Sequence, residues 1–173
     1  MITIDGGTGI ILHNGIEIAS DKMHDQWRLN ADESHTNGVL TGWVRPTESG
    51  SGAYLTGMSH SSGVFTFPKT GIYRVDFKAG FMKGNDIRYA GTIVKLSTDS
   101  GSSYGDLTRS YTTIKAIDSS STYNTSIANM LVDVTNATTF RIRFEIAANT
   151  AVSVYGATDD TRTTVTFNRI ANT

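Results

Sequence analysis

Apolar and charged positions alternate with a period of two along residues 73–81, the most regular pattern in the chain. The apolar positions are Tyr73, Val75, Phe77, Ala79 and Phe81, and the charged ones are Arg74, Asp76 and Lys78. Successive side chains of a β-strand point to opposite faces, so the pattern predicts a strand with one buried and one solvated face. An α-helix would scatter the same aromatic residues around its circumference.

The same alternation recurs in residues 128–134, 139–147 and 163–170. In the second of these segments, Phe140, Ile142, Phe144 and Ile146 alternate with Arg141, Arg143 and Glu145. Each buried Phe, Ile or Val side chain stabilises a fold by roughly 1.5–3 kcal/mol. A slip of one residue would turn the charged side chains inward, so these segments also specify the strand register.

Residues 23–173 are predicted to form one all-β head domain, an antiparallel two-sheet jelly-roll sandwich. Short strands at even spacing, separated by turns rich in Ser, Gly, Asn and Asp, are typical of that architecture. The predicted strands are His24–Leu29, Val39–Val44, Ala53–Met58, Val64–Phe67, Ile72–Phe81, Tyr89–Ser97, Ser110–Ile117, Thr125–Val134, Thr139–Ala147, Ala151–Tyr155 and Thr163–Ile170.

Residues 1–22 differ in sequence pattern from the rest of the chain. They contain short Ile-rich segments divided by Gly-Gly and Asn-Gly turns. Pieces this short cannot build a core alone, which favours a short N-terminal attachment arm that docks onto a neighbouring subunit or another protein. A first hairpin of the main domain is the alternative. The residues predicted to make the attachment are Ile2, Ile4, Ile10, Ile11, Leu12, Ile16 and Ile18.

Composition narrows the possible functions. The 173 residues carry a formal net charge of -1, so there is no electrostatic case for binding nucleic acid or an anionic membrane. The chain has no Cys, which excludes disulfides, thiolate metal sites and Cys nucleophiles and is compatible with folding in a reducing cytoplasm. The first residues lack the pattern of a secretory signal, and no apolar run approaches the ~20 residues that span a bilayer.

Two short motifs resemble those of a known family. Residues 63–68, Gly-Val-Phe-Thr-Phe-Pro, and residues 70–73, Thr-Gly-Ile-Tyr, precede the alternating strand. Together they resemble the globular heads of complement and tumour-necrosis-factor-like proteins, and the likeness covers roughly residues 27–170. The resemblance implies a jelly-roll head and a homotrimer. Collagen-like stalks of the vertebrate relatives have no counterpart here, because the chain has no Gly-x-y repeat, so functions that depend on a stalk do not carry over.

Four further segments resemble structural proteins of tailed bacteriophages. They are residues 4–10, 25–29, 42–46 and 57–63, with the sequences Ile-Asp-Gly-Gly-Thr-Gly-Ile, Asp-Gln-Trp-Arg-Leu, Gly-Trp-Val-Arg-Pro and Gly-Met-Ser-His-Ser-Ser-Gly. This resemblance implies a virion component, such as a fibre tip or a knob on the capsid surface, that is assembled in the host cytoplasm.

The residues usually found in catalytic sites show no matching motif, which indicates a protein that is not an enzyme and needs no cofactor. His13, His24, His35 and His60 lack metal-ligand spacing. His24 next to Asp25 could orient a base only if a nucleophile approached from elsewhere in the fold.

Two carboxylate arrangements could in principle serve glycoside hydrolysis. Asp159 and Asp160 are adjacent in a predicted loop, and Glu145 lies on a strand where a cross-strand ion pair is the simpler account. Several loop aspartates could instead converge to bind calcium, although solvated turn residues are the simpler interpretation. These aspartates are Asp99, Asp106, Asp118, Asp159 and Asp160.

Exposed tyrosines are the best candidates for recognition. Tyr104, Tyr123 and Tyr155, together with Tyr111, belong to segments rich in loop residues. Tyr gives large contact area with little loss of side-chain entropy, so the first three are predicted to face a receptor, either a host-surface glycan or a protein. Ordinary packing beneath the loops is the alternative.

The leading hypothesis is therefore a non-enzymatic phage virion protein. Its trimeric jelly-roll head would sit on a tail fibre or capsid surface and take part in host attachment, and its arm would bind other virion proteins. A capsid decoration protein and a cellular carbohydrate-binding module are the alternatives.

Overall fold

The computed structural model describes residues 2–4, 11–13, 16–17, 23–47, 52–54, 56–118 and 120–173. These residues form β-strands and irregular connections with no helix, and hence no helix long and apolar enough to cross a membrane. The predicted all-β, antiparallel jelly-roll fold is confirmed. The strands are β1 Ile2–Ile4, β2 Ile11–His13, β3 Ile16–Glu17, β4 Met23–Leu29, β5 Glu33–Val39, β6 Trp43–Val44, β7 Ala53–Tyr54, β8 Ser59–Ser61, β9 Val64–Thr66, β10 Gly71–Lys83, β11 Ile87–Ser97, β12 Gly105–Ile114, β13 Thr122–Val134, β14 Arg141–Val154 and β15 Thr164–Ala171.

Two antiparallel sheets pack face to face. The front sheet has the strand order β13-β10-β15-β4, with β6 and β7 on the far edge of β4. The back sheet has the order β12-β11-β14, and both β5 and β9 pair with the other edge of β14. The end of β14 also reaches the front sheet, because Val154 pairs with Phe81. Hydrogen bonding is therefore continuous around this side of the sandwich.

The core between the sheets is built from interlocking aromatic rings. Phe144 of the back sheet lies 5.0 Å from Phe77 and 5.8 Å from Phe167 of the front sheet, measured between ring centroids. Trp43 and Phe65 complete the cluster at 5.9 and 5.5 Å from Phe144. Edge-on and tilted contacts of this kind stabilise aromatic pairs beyond the area that they bury.

The predicted register is confirmed in the central strands. All five apolar side chains of the alternating segment in β10 are fully buried, and so are Ile142, Phe144, Val165 and Phe167. The charged positions between them face outward. The period-two pattern therefore identified both the strands and the faces that they bury.

The hairpin of β8 and β9 has a turn that only certain residues can form. Ser62 and Gly63 both have positive φ, 49° and 83°, as a two-residue type I′ hairpin requires. A Cβ at Gly63 would approach the Leu40 carbonyl oxygen to 2.7 Å, so the turn also needs glycine for space. This turn directs Phe65 into the core.

Four predicted strand assignments are wrong. The predicted strand Ser110–Ile117 begins and ends too late, because β12 spans Gly105–Ile114. The segment Val39–Val44 is not one strand, because β5 ends at Val39 and β6 holds only Trp43 and Val44. Leu40 and Trp43 are buried there without belonging to a long strand. Glu33 stabilises the bend between them by accepting hydrogen bonds from the backbone N–H groups of Thr41 and Gly42.

The other two corrections concern Ala53–Met58 and the predicted separation of residues 139–147 from 151–155. Strand β7 covers only Ala53 and Tyr54, and Met58 is buried outside a strand. Strand β14 runs unbroken through residues 141–154, with a shift of register against β5 between Ala147 and Val152. Such a bulge lets a strand bend without ending.

The N-terminal strands pair with one another. Among the described residues, β1, β2 and β3 form their own antiparallel sheet, separate from the strands of the head. Ile10 and Ile18 of the predicted attachment set lie outside the described residues. The role of the arm in attachment, and the division of the chain at residue 22, stay predictions.

Candidate functional site

The outer surface of the front sheet carries large apolar side chains in water. Along β13, Ser126, Ala128, Val132 and Val134 point into the core. The opposite parity places Tyr123, Ile127 and Leu131 outside, with 57%, 54% and 59% of each residue exposed, and Ile170 of β15 is 46% exposed. We call these four residues the apolar face.

Charged groups from the neighbouring strand lie beside the apolar face. Leu131 pairs with Arg74 of β10, and Ile127 pairs with Lys78. Arg74 donates to Asp76 at 3.0 Å between Nε and Oδ2, so this charge is paired along its own strand. A shallow depression of about 310 Å³ opens between Arg74 and Leu131. The surface therefore combines apolar contact area with polar groups that can fix an orientation.

Strand β13 also lies at an edge of the front sheet. Within the described part of the chain its backbone forms a strand ladder only with β10. Edge strands with apolar side chains on their outer face are rarely left uncovered in stable proteins. The arrangement can bind another protein surface, including a second copy of the same chain.

The predicted recognition tyrosines do not form one site. Tyr123 lies in strand β13 rather than in a loop, and its ring is 5.4 Å from that of Tyr155. Arg162 stacks on Tyr155 with its Cζ atom 4.0 Å from the ring centroid. Tyr104 lies near the start of β14, beside Arg143, whereas Tyr155 follows the end of that strand.

Tyr104 is only partly accessible. Burial raises the pKa of its hydroxyl group, against the opposing effect of the Arg143 and Arg141 charges. The Cζ atom of Arg143 lies 3.9 Å from the centroid of the Tyr104 ring. This contact anchors the loop before β12 to the back sheet.

The pair of His24 and Asp25 does not have the geometry of a catalytic dyad. The two residues are neighbours in β4, so their side chains point to opposite faces, and Asp25 is completely buried. Its carboxylate accepts from Arg45 Nε at 2.9 Å, from Trp27 Nε1 at 2.9 Å and from the backbone N–H of Met58 at 2.7 Å. Asp25 therefore ties the segment around Met58 to β4.

His60 is also part of the packing. Its ring lies between Trp27 and Phe65, at centroid distances of 5.4 and 4.7 Å. Nε2 accepts a hydrogen bond from the backbone N–H of Gly63 at 2.9 Å, which requires that nitrogen to be unprotonated. Burial lowers the pKa of His60 below its usual value of 6.5.

Two of the candidate carboxylates, Glu145 and Asp160, are engaged in local contacts. Glu145 forms the predicted cross-strand ion pair, with Lys95 at 3.4 Å, and also binds Arg143 at 2.7 Å. Asp160 pairs with Arg162 at 2.6 Å. No group of three His, Asp or Glu side chains positioned for a metal ion occurs among the described residues.

Asp99 shows how these loop aspartates are used. Its carboxylate accepts from the hydroxyl groups of Ser103 and Ser97 and from the backbone N–H of Ser103. These hydrogen bonds hold the pKa of Asp99 well below its usual range. The residue shapes a turn, as the simpler interpretation of the sequence predicted.

The sequence interpretation overlooked the apolar face although its signal was present. Asn129 and Asp133 mark one parity of β13 as solvated, yet Ile127 and Leu131 share that parity. Apolar residues on both parities of one strand indicate that both faces are covered, either within the chain or by a partner.

Two solved structures serve to identify the fold. The crystal structure of murine APRIL at pH 5.0 superimposes with a TM-score of 0.64 at 14% identity, over 87% of this chain and 100% of that one. The structure of Eiger TNF from S. frugiperda gives a TM-score of 0.65 at 9% identity, over 88% of this chain and 94% of that one.

Comparisons at the level of sequence give no match. Neither a protein-family model nor a curated protein sequence matches the chain. At 9–14% identity, the structural likeness defines the fold alone. The chain therefore folds as a jelly roll of the tumour-necrosis-factor type.

Proposed function

We propose that this chain is a non-enzymatic structural protein of a tailed-phage virion, whose jelly-roll head forms a homotrimer and takes part in attachment to the host. The observation that supports the assembly is the apolar face. The four segments that resemble phage structural proteins support the virion setting, with assembly in the host cytoplasm.

Self-association follows from the chemistry of the apolar face. Ile127 and Leu131 each expose more than half of their surface on an edge strand. Burying an apolar side chain of this size contributes roughly 1.5–3 kcal/mol, and three equivalent interfaces repeat that gain around a closed ring. The resemblance to complement and tumour-necrosis-factor-like heads favours three copies over two.

The arm and the net charge of the chain indicate which other molecules the protein is expected to bind. Strands β1–β3 form a small sheet apart from the head, which suits a segment that docks onto another virion protein. A net charge of -1 gives no reason to expect nucleic acid or a membrane as partner. Three heads held together would bind a host surface with avidity even where each site is weak.

The mass of the full chain in solution tests the assembly. Sedimentation equilibrium should give three times the chain mass of 18.7 kDa. Leu131→Lys should shift the species to the monomer, because a charge would be buried without a partner in each interface. Ile117→Lys is the matched control, since Ile117 is 88% exposed in a loop, and it should leave the trimer intact.

A monomeric wild-type chain would contradict the trimer. An unchanged trimer in Leu131→Lys, with native near-ultraviolet circular dichroism, would place the interface elsewhere. Immunogold labelling of purified particles separates the remaining alternatives: tail labelling with host binding supports attachment, whereas shell labelling without host binding supports decoration. Absence from particles, with binding of polysaccharide, would support a cellular carbohydrate-binding module.

A further inference from the structure

A groove with a volume of about 510 Å³ crosses the outer surface of the back sheet, on the side of the sandwich opposite the apolar face. Asn37 of β5, Ala147 of β14, Tyr89 of β11, and Arg109 and Tyr111 of β12 line it. Its size lies within the usual range of small-molecule sites.

The strand register produces the floor of the groove. Asn37 pairs with Ala147, Ala147 with Gly91, and Gly91 with Tyr111, so four neighbouring strands contribute one row of outward-facing positions. The two central positions of that row carry the smallest side chains. Gly91 and Ala147 therefore form a low floor between the longer side chains of Tyr111 and Asn37.

Gly91 also determines where the Tyr111 ring lies. A Cβ at position 91 would come within 2.3 Å of Tyr111 Cδ1 and 2.4 Å of the Ser110 carbonyl oxygen. The tyrosine ring therefore rests directly against the strand at Gly91. Glycine inside a strand often marks such a close approach, and the Tyr89-Ala90-Gly91 sequence carried this signal.

The aromatic wall is held in place before any ligand arrives. Tyr89 and Tyr111 meet edge to face, with centroids 5.6 Å apart and planes at 88°. The Tyr111 hydroxyl accepts from Arg109 Nη1 at 3.4 Å, and the backbone N–H of Tyr89 donates to Asn149 Oδ1 at 3.0 Å. Fixed rings lose little entropy when they bind a ligand.

One charged side chain lines the groove, and it belongs to a row of ion pairs along the back sheet. Among the described residues that line it, Arg109 carries the only formal charge. Arg109 pairs with Asp106, which also binds Lys95, and that lysine binds Glu145, the partner of Arg143. This ladder contains three cations and two carboxylates, so one positive charge is left uncompensated.

From this geometry we propose that the groove binds a pyranose unit of an acidic saccharide. The tyrosine rings offer an apolar surface to the C–H face of the sugar, the Asn37 amide offers hydrogen bonds to hydroxyl groups, and Arg109 attracts the carboxylate. The inference rests on the proposed host attachment for its biological setting, and names the ligand that the head recognises.

The groove is a better candidate than the tyrosines first singled out. Tyr123 belongs to the apolar face, which the proposed trimer covers, and it contacts Tyr155 on the same side of the sandwich. The ring of Tyr104 is already covered by the guanidinium group of Arg143. The groove lies on the other face, so the same trimer leaves it open to the host surface.

Saturation-transfer NMR on the full-length protein provides the test, with methyl β-D-glucuronide and methyl β-D-glucoside as probes. The two glycosides differ only in the carboxylate at C6, so their comparison isolates the role of charge. The expected result is millimolar binding of the glucuronide and about tenfold weaker binding of the glucoside.

Three variants locate the binding. Tyr111→Ala should abolish the signal of both probes, and Arg109→Gln should remove the preference for the glucuronide. Ile117→Ala is the control, since Ile117 is 88% exposed and lies outside both the groove and the apolar face, and it should leave binding unchanged. Thermal melting of each variant verifies that the fold is intact.

Absence of saturation transfer from both probes to the wild-type protein overturns the inference, and so does binding that Tyr111→Ala leaves unchanged. Equal binding of the two glycosides overturns the acidic-saccharide assignment. Sedimentation of the same sample keeps the two proposals separate. A trimer that binds neither probe contradicts only the saccharide site, whereas a monomer that binds the glucuronide contradicts only the assembly.

Discussion

Phe144 shows how one side chain joins the two sheets. Its ring contacts those of Trp43, Phe65, Phe77 and Phe167 at centroid distances of 5.0–5.9 Å, and none of its surface is exposed. Four rings from both sheets would therefore line the cavity left by its removal. Backbone hydrogen bonds on both sides of β14 restrict how far that cavity can collapse.

Phe144→Ala should lower the free energy of unfolding by about 3–5 kcal/mol, since lost burial and the residual cavity both contribute. Urea unfolding followed by tryptophan fluorescence measures the change. Leu107→Ala is the control, because Leu107 is 37% exposed on β12, and it should cost less than about 1 kcal/mol. Equal losses for the two variants would contradict the central role of Phe144.

His60 gives the head a defined dependence on pH. Burial holds the pKa of the folded state below 6.5, so the folded protein binds fewer protons than the unfolded chain. Its contribution to stability is complete above pH 6.5 and is lost as the pH falls through the folded-state pKa. Protonation also removes the acceptor for the Gly63 N–H.

His60→Phe keeps a ring between Trp27 and Phe65 but cannot titrate. The variant should be less stable at pH 8, because Gly63 loses its acceptor, and should lose less further stability between pH 7 and pH 5 than the wild type. Urea midpoints across that interval, compared between the variant and the wild type, measure the difference. Parallel pH profiles would show that His60 is not the titrating group.

At the level of strands, whether a strand could be predicted from the sequence depends on its position in the sheet. Central strands such as β10 bury one face, so alternation revealed them together with their register. Strand β5 has the sequence Glu-Ser-His-Thr-Asn-Gly-Val and pairs only along one edge of β14, so it carries no apolar alternation to detect. The apolar residues Leu40 and Trp43 instead led to a strand being predicted over Val39–Val44, where the structure has the bend between β5 and β6.

The candidate surfaces were harder to predict for a related reason. Alternation assigns a side chain to a face, but it does not say which strands are neighbours. Tyr89, Arg109 and Asn37 come from three strands, and only the order β12-β11-β14-β5 brings them to one groove. The sequence predicted that Tyr111 is exposed. Apart from Gly91, nothing in the linear sequence indicated which residues lie beside Tyr111 in the groove.

Strand β15 is the strand whose loss should destabilise the head most. It lies between β10 and β4, and it buries Val165 and Phe167. The preceding residue, Thr163, accepts backbone hydrogen bonds from Gly80 through its hydroxyl oxygen and from Leu29 through its carbonyl oxygen. Its loss would leave the edges of two strands unpaired and open the core.

Deletion of residues 163–173 should therefore abolish soluble folding. The soluble fraction after expression and the circular-dichroism melt of any soluble product measure the effect. Deletion of residues 172–173 alone is the control, and it should retain a cooperative melt because both residues follow the end of β15. A protein without residues 163–173 that still melts cooperatively would contradict the assignment of β15 as a central strand.

At the scale of the whole molecule, the two outer faces of the sandwich differ in character. The front sheet presents Ile127 and Leu131 on an edge strand, whereas the back sheet presents a ladder of paired charges and a groove with aromatic walls. Apolar surface suits a permanent contact between copies, and a polar groove suits a reversible contact with a ligand. Under the proposed function, assembly and recognition would therefore use different sheets.

The attachment role proposed for the arm is tested by its removal, which shows whether attachment is separable from the head. Strands β1–β3 pair with one another and not with the head strands within the described residues, so deletion of residues 1–22 breaks none of the described hydrogen bonds between the head strands. The shortened chain should keep its melting temperature and its trimer mass, yet should no longer be incorporated into particles. Differential scanning calorimetry, sedimentation and immunoblots of purified particles measure the three properties. Loss of folding would instead make residues 1–22 part of the head, and normal incorporation would place the attachment surface on the jelly roll.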